Sequence, residues 1–300
     1  MKPADAASLP VPDAQRASSA FADYLSLTKP RLNFLVVATS AAGYYLGATT
    51  IDLVSMAEAV AGTALVAGGA AALNQLYERD TDALMRRTRT RPLPAGRLTP
   101  AEAGVFGVAL SAVGLALLAA RTNWLSAALA LATLLTYLII YTPMKRRSPL
   151  STVIGALPGA LPALIGWTGS HGSIDVSGAA LFAIVFCWQL PHFMAIAWLY
   201  REEYGKAGFP MLPVIDPEGR RAGKQAVYWA FLMVLASLVP KLTGLSGNGY
   251  LAIAIVFGTA LFALSVRFAF DRNEATARAL FYGSITYLPL LWMAMIANKL

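Results

Sequence analysis

Residues 103–120 read AGVFGVALSAVGLALLAA, a run of 18 residues without a single charge. As a helix rising about 1.5 Å per residue it comes close to covering the ~30 Å hydrocarbon core of a bilayer. Only Arg121 and Thr122 separate it from a second run, NWLSAALALATLLTYLIIY, at 123–141. Two such runs back to back set the fold class, because helices are the segments of this composition that satisfy their own backbone hydrogen bonds in lipid. Working outward, further apolar runs lie at 31–50, 54–77, 152–168, 179–199, 225–239, 250–267 and 279–297. The sequence therefore predicts an all-α membrane protein with nine transmembrane helices. Over all 300 residues, 57% are hydrophobic, 13% are charged and the mean hydropathy is +0.57, which excludes a soluble globule with one core.

A net charge of +8 would suggest nucleic acid in a soluble protein, but here the basic residues sit in short loops between apolar runs. With loops alternating sides, 21 of the 24 lysines and arginines fall on one side, leaving Arg121, Lys241 and Lys299 on the other. This asymmetry predicts a cytoplasmic N-terminus, a C-terminus on the far side, and residence in a cell inner membrane with no nucleic-acid partner. Residues 1–28 hold Pro3, Pro10, Pro12, Asp5, Asp13 and Asp23, and read as a disordered cytoplasmic leader ahead of one domain over 29–299. Cys187, the lone cysteine, lies inside an apolar run and reads as a small buried hydrophobe. The prolines Pro158, Pro162, Pro191 and Pro289 inside spans suggest a bundle around a pocket. The two long cytoplasmic loops, 78–102 and 200–224, put the chemistry at that face.

The second span ends in Asn74-Gln75-Leu76-Tyr77-Glu78-Arg79-Asp80-Thr81-Asp82. Positions four apart step only about 40° around a helix, so Asn74, Glu78 and Asp82 share one face, whereas Asp80 points elsewhere. Spacing alone leaves two readings open. One is a solvated acidic helix end paired with Arg79 and Arg86; the other is a set of hard-oxygen ligands for Mg²⁺, which is held by one or two carboxylates plus substrate phosphate. The loop Arg86-Arg87-Thr88-Arg89-Thr90-Arg91-Pro92-Leu93-Pro94-Ala95-Gly96-Arg97 favours the second. A diphosphate bridged by metal to the acids and clamped by guanidinium forks needs both charge types together.

The sixth span ends in a similar way, with Tyr200-Arg201-Glu202-Glu203-Tyr204-Gly205-Lys206. Glu202 or Glu203 could complete a second Mg²⁺ site with Lys206 on phosphate, the other reading being an ordinary interfacial charge cluster. His192 is the lone histidine within a span, which makes it either a functional group or a structural hydrogen-bonding one. After the fourth span, Tyr141-Thr142-Pro143-Met144-Lys145-Arg146-Arg147 reads as a membrane anchor or as a source of Lys145 for the cavity.

Taken together, these residues resemble the UbiA superfamily of intramembrane prenyltransferases, whose first motif is Asn-x-x-x-Asp-x-x-x-Asp. Here Asn74, Glu78 and Asp82 match it, with Glu in place of the middle Asp. The Asp80 and Asp82 pair, Arg87-Thr88, Arg91 to Arg97, Trp188 to Phe193 and Tyr204 to Pro213 are similar to the protoheme IX farnesyltransferase branch. Lys29-Pro30-Arg31 and Tyr141 to Arg147 also fit it, so the likeness spans about residues 25 to 297. The second Asp-x-x-x-Asp motif of the aromatic-substrate members is absent, and Glu202 and Glu203 stand in that region.

The resemblance implies a UbiA-type bundle with a cytoplasmic-facing cavity, farnesyl diphosphate and haem B as substrates, haem O as product, and Mg²⁺ as cofactor. It implies metal on Asn74, Glu78 and Asp82, with Glu202 or Glu203 at a second ion, and Arg87, Arg91, Lys145 and Glu203 in the catalytic machinery. Lys29, Arg31, Arg97, Tyr141, His192, Tyr204 and Lys206 would contact substrate. A haem A synthase or terminal oxidase would receive the product. The competing readings are a relative acting on a quinone precursor or another tetrapyrrole, and a secondary transporter, whose coupling acids usually lie nearer the midplane than these.

Overall fold

The computed structural model describes residues 19–300. The chain is helical almost throughout: α1 Ala20–Leu27, α2 Pro30–Gly47, α3 Leu53–Asp82, α4 Pro100–Arg121 and α5 Trp124–Leu135. α5 runs on as a π-helical segment, Thr136–Tyr141, into the short α6, Thr142–Met144. Then follow α7 Ser151–His171, α8 Val176–Leu199, α9 Arg201–Lys206, α10 Leu212–Ile215, α11 Arg220–Leu242, α12 Asn248–Asp271 and α13 Glu274–Ala297.

Among the described residues, eight helices are long and apolar enough to cross a membrane, with α5 to α6 counting as one. The expected first span is α2, which is not among the eight. Its 18 residues include Asn33, Thr39, Ser40, Tyr44 and Tyr45, and these polar groups dilute the apolar run. The nine expected segments are thus present as helices, but the count of nine spans is not confirmed. The expected disordered leader also needs correction where it is described: Ala20–Leu27 is a helix capped by Ser19, and its Asp23 and Leu27 are buried. The rest of that leader lies outside the described residues.

Local signals explain the helix starts. Thr99 and Glu102 form a reciprocal capping box with Pro100 at the first turn of α4. Asp52, Asn123, Asp175 and Asn273 cap α3, α5, α8 and α13. Small residues set the helix spacing, since a Cβ at Gly166 would stand 1.9 Å from the Ser40 carbonyl oxygen and one at Gly43 2.2 Å from that of Ala163. α2 and α7 therefore pack backbone to backbone. α3 lies along α4, and α8 is covered by α7, α11 and α13, whose side chains with Trp188, Trp198 and Tyr287 make the largest core. Cys187 is buried in that core. The C-terminal Lys299 donates to the carbonyls of Tyr45 and Ala48, closing the end of α2.

Candidate active site

A cavity of about 270 Å³ opens where the ends of α3, α5 to α6 and α8 meet the loop after α3. Helix α3 delivers Asn74, Glu78 and Asp82 to it on one face, as the four-residue stepping requires. Asn74 is 0% and Asp82 1% exposed, whereas the Asp80 side chain is 86% exposed and meets Arg79 at 3.4 Å. The loop after α3 is a string of turns that folds back over the helix end, with Thr88 Oγ1 donating to the Asp82 carbonyl at 2.8 Å. That fold aims Arg87 and Arg91 inward. Arg91 Nη1 donates to Asp82 Oδ2 at 2.6 Å, and the Arg87 guanidinium stacks over the Tyr200 ring at 5.8 Å.

Two lysines complete the constellation. Lys29 is the N-cap of α2 and takes a left-handed conformation, φ 49°, just before Pro30. That strained turn turns its side chain into the cavity, where Nζ donates to Asn74 Oδ1 at 2.9 Å. Burial, then the positive charges of Arg91 and Lys145, lower its ammonium from the ordinary 10.5 to about 7. Lys145, just beyond α6, donates to Glu78 Oε1 at 2.9 Å and sits 4.6 Å from the Tyr141 ring centre. Burial opposes its charge, but Tyr141 and the Glu78 carboxylate outweigh burial and hold it above the usual lysine range. Asn74 Nδ2 donates to Thr142 Oγ1 at 3.2 Å, so the amide is fixed at both ends. Four cations therefore face two carboxylates, leaving a net positive cavity that suits a polyanion.

A second cavity of about 340 Å³ shares Lys29, Leu32, Tyr137, Tyr141 and Phe193 with the first. Its remaining wall is mostly apolar, with Val66, Ala67, Ala70 and Ala71 of α3, Ala130 of α5, and Pro158, Gly159 and Pro162 of α7, interrupted by the polar Asn33, Thr63, Thr133 and Gln189. Two of the span prolines thus do line a pocket. Tyr137 and Tyr141, stacked at 5.4 Å on the π-helical segment, stand at the junction of the lobes. The result is one chamber with a charged mouth and an apolar interior.

Of the residues expected at the site, Asn74, Glu78, Asp82, Arg87, Arg91, Lys145, Lys29, Tyr141 and Tyr204 line the charged lobe. Others do not. Arg31 is exposed at the start of α2. Arg97 turns the other way, its Nε donating to the buried Asp23 at 3.0 Å and Nη2 to the Thr90 carbonyl, so it ties α1 to the loop. Glu202 and Lys206 are exposed, on the outer side of α9. Glu203 is half-buried and does not line the lobe, yet its Oε2 is buried with no hydrogen-bond partner among the described residues. His192 lines neither lobe: Nδ1 pairs with Ser284 Oγ at 2.8 Å, and the ring stacks between Trp188 and Phe281, joining α8 to α13. These are the contacts of the structural alternative for His192. Lining residues not foreseen include Tyr137, Ser151, Thr152, Phe193, Phe209 and Met211. Tyr137 carried a readable signal, since 137, 141 and 145 repeat the stepping of 74, 78 and 82.

The profile of the UbiA prenyltransferase family matches residues 35–294. The chain belongs to the UbiA prenyltransferase family. Its relatives there include a protoheme IX farnesyltransferase of Solibacter usitatus, 43% identical over 287 residues that cover 92% of this chain and 98% of that one. A mitochondrial protoheme IX farnesyltransferase of Arabidopsis thaliana is 36% identical across 92% of this chain and 64% of its own length. The UbiA fold is shared with a digeranylgeranylglyceryl phosphate synthase structure at TM-score 0.79, with 20% identity and 93% and 98% of the two chains covered. A UbiA homologue of Archaeoglobus fulgidus bound to GPP and Mg²⁺ aligns at TM-score 0.63, 19% identity and 91% and 99% coverage.

Proposed function

We propose that this chain is a haem O synthase, which joins the farnesyl group of farnesyl diphosphate to the 2-vinyl group of haem B with addition of water. The observation that carries the chemistry is the two-lobed chamber, in which carboxylates and four cations crowd a mouth that opens into an apolar interior. The near full-length likeness to protoheme IX farnesyltransferases supports the acceptor.

The oxygen donors fit a hard dication: Glu78 Oε2 and Asp82 Oδ1 take no hydrogen bond among the described residues, and the Asn74 amide oxygen sits beside them on α3. Asn74, Glu78 and Asp82 would hold Mg²⁺, and the orphaned Oε2 favours Glu203 over Glu202 for any second ion. When bound, Mg²⁺ supplies Lewis-acid stabilisation of charge on the departing diphosphate. Lys29, Arg87, Arg91 and Lys145 share that task, donating to phosphate oxygens as the C–O bond breaks and both bonding electrons leave with diphosphate. The apolar lobe seats the farnesyl chain and keeps water from the allylic cation. The faces of Tyr137 and Tyr141 lie at the junction where that cation forms and stabilise it through their ring quadrupoles. Attack by the vinyl carbon forms the new C–C bond and moves the positive charge beside the porphyrin, where water adds and releases a proton.

The basic asymmetry supports a cytoplasmic mouth in a cell inner membrane, and kinship with the protoheme IX farnesyltransferases supports a haem A synthase or terminal oxidase as recipient of the product. The acceptor is tested by offering purified protein farnesyl diphosphate with haem B and a quinone precursor in one vessel. Prenylation of haem B is expected; prenylation of the quinone precursor alone would keep the prenyltransferase and overturn the acceptor.

A further inference from the structure

Every oxygen group assigned above to the first dication is already held by a positive charge of the chain itself. Lys29 Nζ lies 2.9 Å from Asn74 Oδ1, Lys145 Nζ 2.9 Å from Glu78 Oε1, and Arg91 Nη1 2.6 Å from Asp82 Oδ2. The three cations come from three separate places: the N-cap of α2, the loop after α3 and the turn after α6. Asn74 and Asp82 are almost fully buried, so the cations also cover them. A dication entering alone would meet the charges of Lys145 and Arg91, and of Lys29 where it is protonated, with Arg87 close by. It would also strand whichever ammonium or guanidinium it displaced, and an unpaired charge in a shielded site is costly. A diphosphate changes the balance, because it offers acceptors to Lys29, Lys145 and Arg91 while giving its own oxygens to the metal.

We propose that Lys29, Lys145 and Arg91 lock the metal site of the ligand-free protein, so that a dication binds tightly only together with diphosphate, the three cations passing from the oxygen ligands to the phosphate as it enters. This rests on the reading of the cavity as a diphosphate site. Linkage makes the effect reciprocal, so the metal must strengthen diphosphate binding by the same factor.

The test is equilibrium dialysis of Mn²⁺ against the full chain in detergent, with and without inorganic diphosphate, for the wild type, Lys145→Met and Lys29→Met. Wild type is expected to hold Mn²⁺ about tenfold or more tightly with diphosphate than without, in the usual range of site coupling. Lys145→Met is expected to hold Mn²⁺ alone several-fold more tightly than wild type and to lose most of the diphosphate enhancement. Lys29→Met, which uncovers an amide rather than a carboxylate, moves the same way by less and serves if Lys145→Met does not fold. Equal Mn²⁺ affinity with and without diphosphate in the wild type overturns the lock and leaves the site reading intact. So does a folded variant that binds Mn²⁺ alone no better than wild type. Folded wild type that retains neither Mn²⁺ nor diphosphate overturns the site reading and the lock together.

Discussion

Asp80 and Asp82 are two residues apart and chemically identical, yet the structure gives them opposite surroundings, and this makes them a sharp test. Asp82→Asn keeps the shape of the side chain and removes its charge. Asp82 is 1% exposed and holds Arg91 at 2.6 Å, with the arginine side chain 23% exposed, so the change strands a largely shielded guanidinium. That costs about 3 kcal/mol of stability, the low end for a broken buried pair, because Arg91 retains some solvent. The variant also removes an oxygen ligand acting on the leaving group; losing one such electrostatic contact costs about 10² to 10³ in turnover. Asp80→Asn alters a side chain that is 86% exposed and pairs with Arg79 at 3.4 Å on the surface, so turnover should stay within about a factor of two. The assay is the initial rate of prenyl transfer at saturating farnesyl diphosphate, with thermal unfolding of each variant to separate loss of fold from loss of chemistry. Equal losses in the two folded variants would refute the one-face geometry of α3.

The Lys29 ammonium, lowered to about 7, carries its charge in the lock below that pH and gives it up above, where Lys145 and Arg91 keep theirs and a bound diphosphate restores the proton on Lys29. Diphosphate binding at about pH 8 should therefore take up a proton and weaken as pH rises; calorimetry in two buffers of different ionisation enthalpy reads the uptake, which Lys29→Met should abolish. Arg97→Met should lower stability by about 2 kcal/mol by removing the cation from buried Asp23, while KM for farnesyl diphosphate stays unchanged; a raised KM would return Arg97 to the substrate. His192→Asn, which can keep a hydrogen bond to Ser284, should convert haem B at close to the wild-type rate, and a collapse of turnover in folded protein would place the imidazole on the substrate. A Cβ at Gly155 would stand 2.4 Å from the Tyr141 ring, so Gly155→Ala should displace that ring from the lobe junction and cut turnover about tenfold, read at unchanged unfolding temperature.

Much of the site was legible because it rests on periodicity. Asn74, Glu78 and Asp82 needed only the helical step to be placed together, and the basic loop beside them followed in sequence. What periodicity does not carry is which way a loop side chain turns. Arg87, Arg91 and Arg97 look alike in the chain, but the turns after α3 send the first two inward and the third to Asp23 on α1. Lys29 reaches Asn74 through a left-handed residue before a proline, a conformation local preference disfavours and tertiary packing imposes. His192 is equally consistent in sequence with substrate contact and with packing, and only the structure shows Trp188 and Phe281 stacked against its ring. The ninth span rests on α2, where polar residues that serve the α2, α3 and α7 contacts dilute the apolar run, as Ser40 does in pairing with Thr63.

In the proposed reaction the charged mouth and the apolar interior together perform a metal-dependent farnesyl transfer to haem. Purified protein in detergent, given haem B, farnesyl diphosphate and Mg²⁺, should yield haem whose mass has risen by one farnesyl group plus water, measured by liquid chromatography with mass detection, and the gain should vanish with EDTA. Unchanged haem B in folded, Mg²⁺-supplied protein, or a farnesyl gain that persists undiminished in excess chelator, would contradict it.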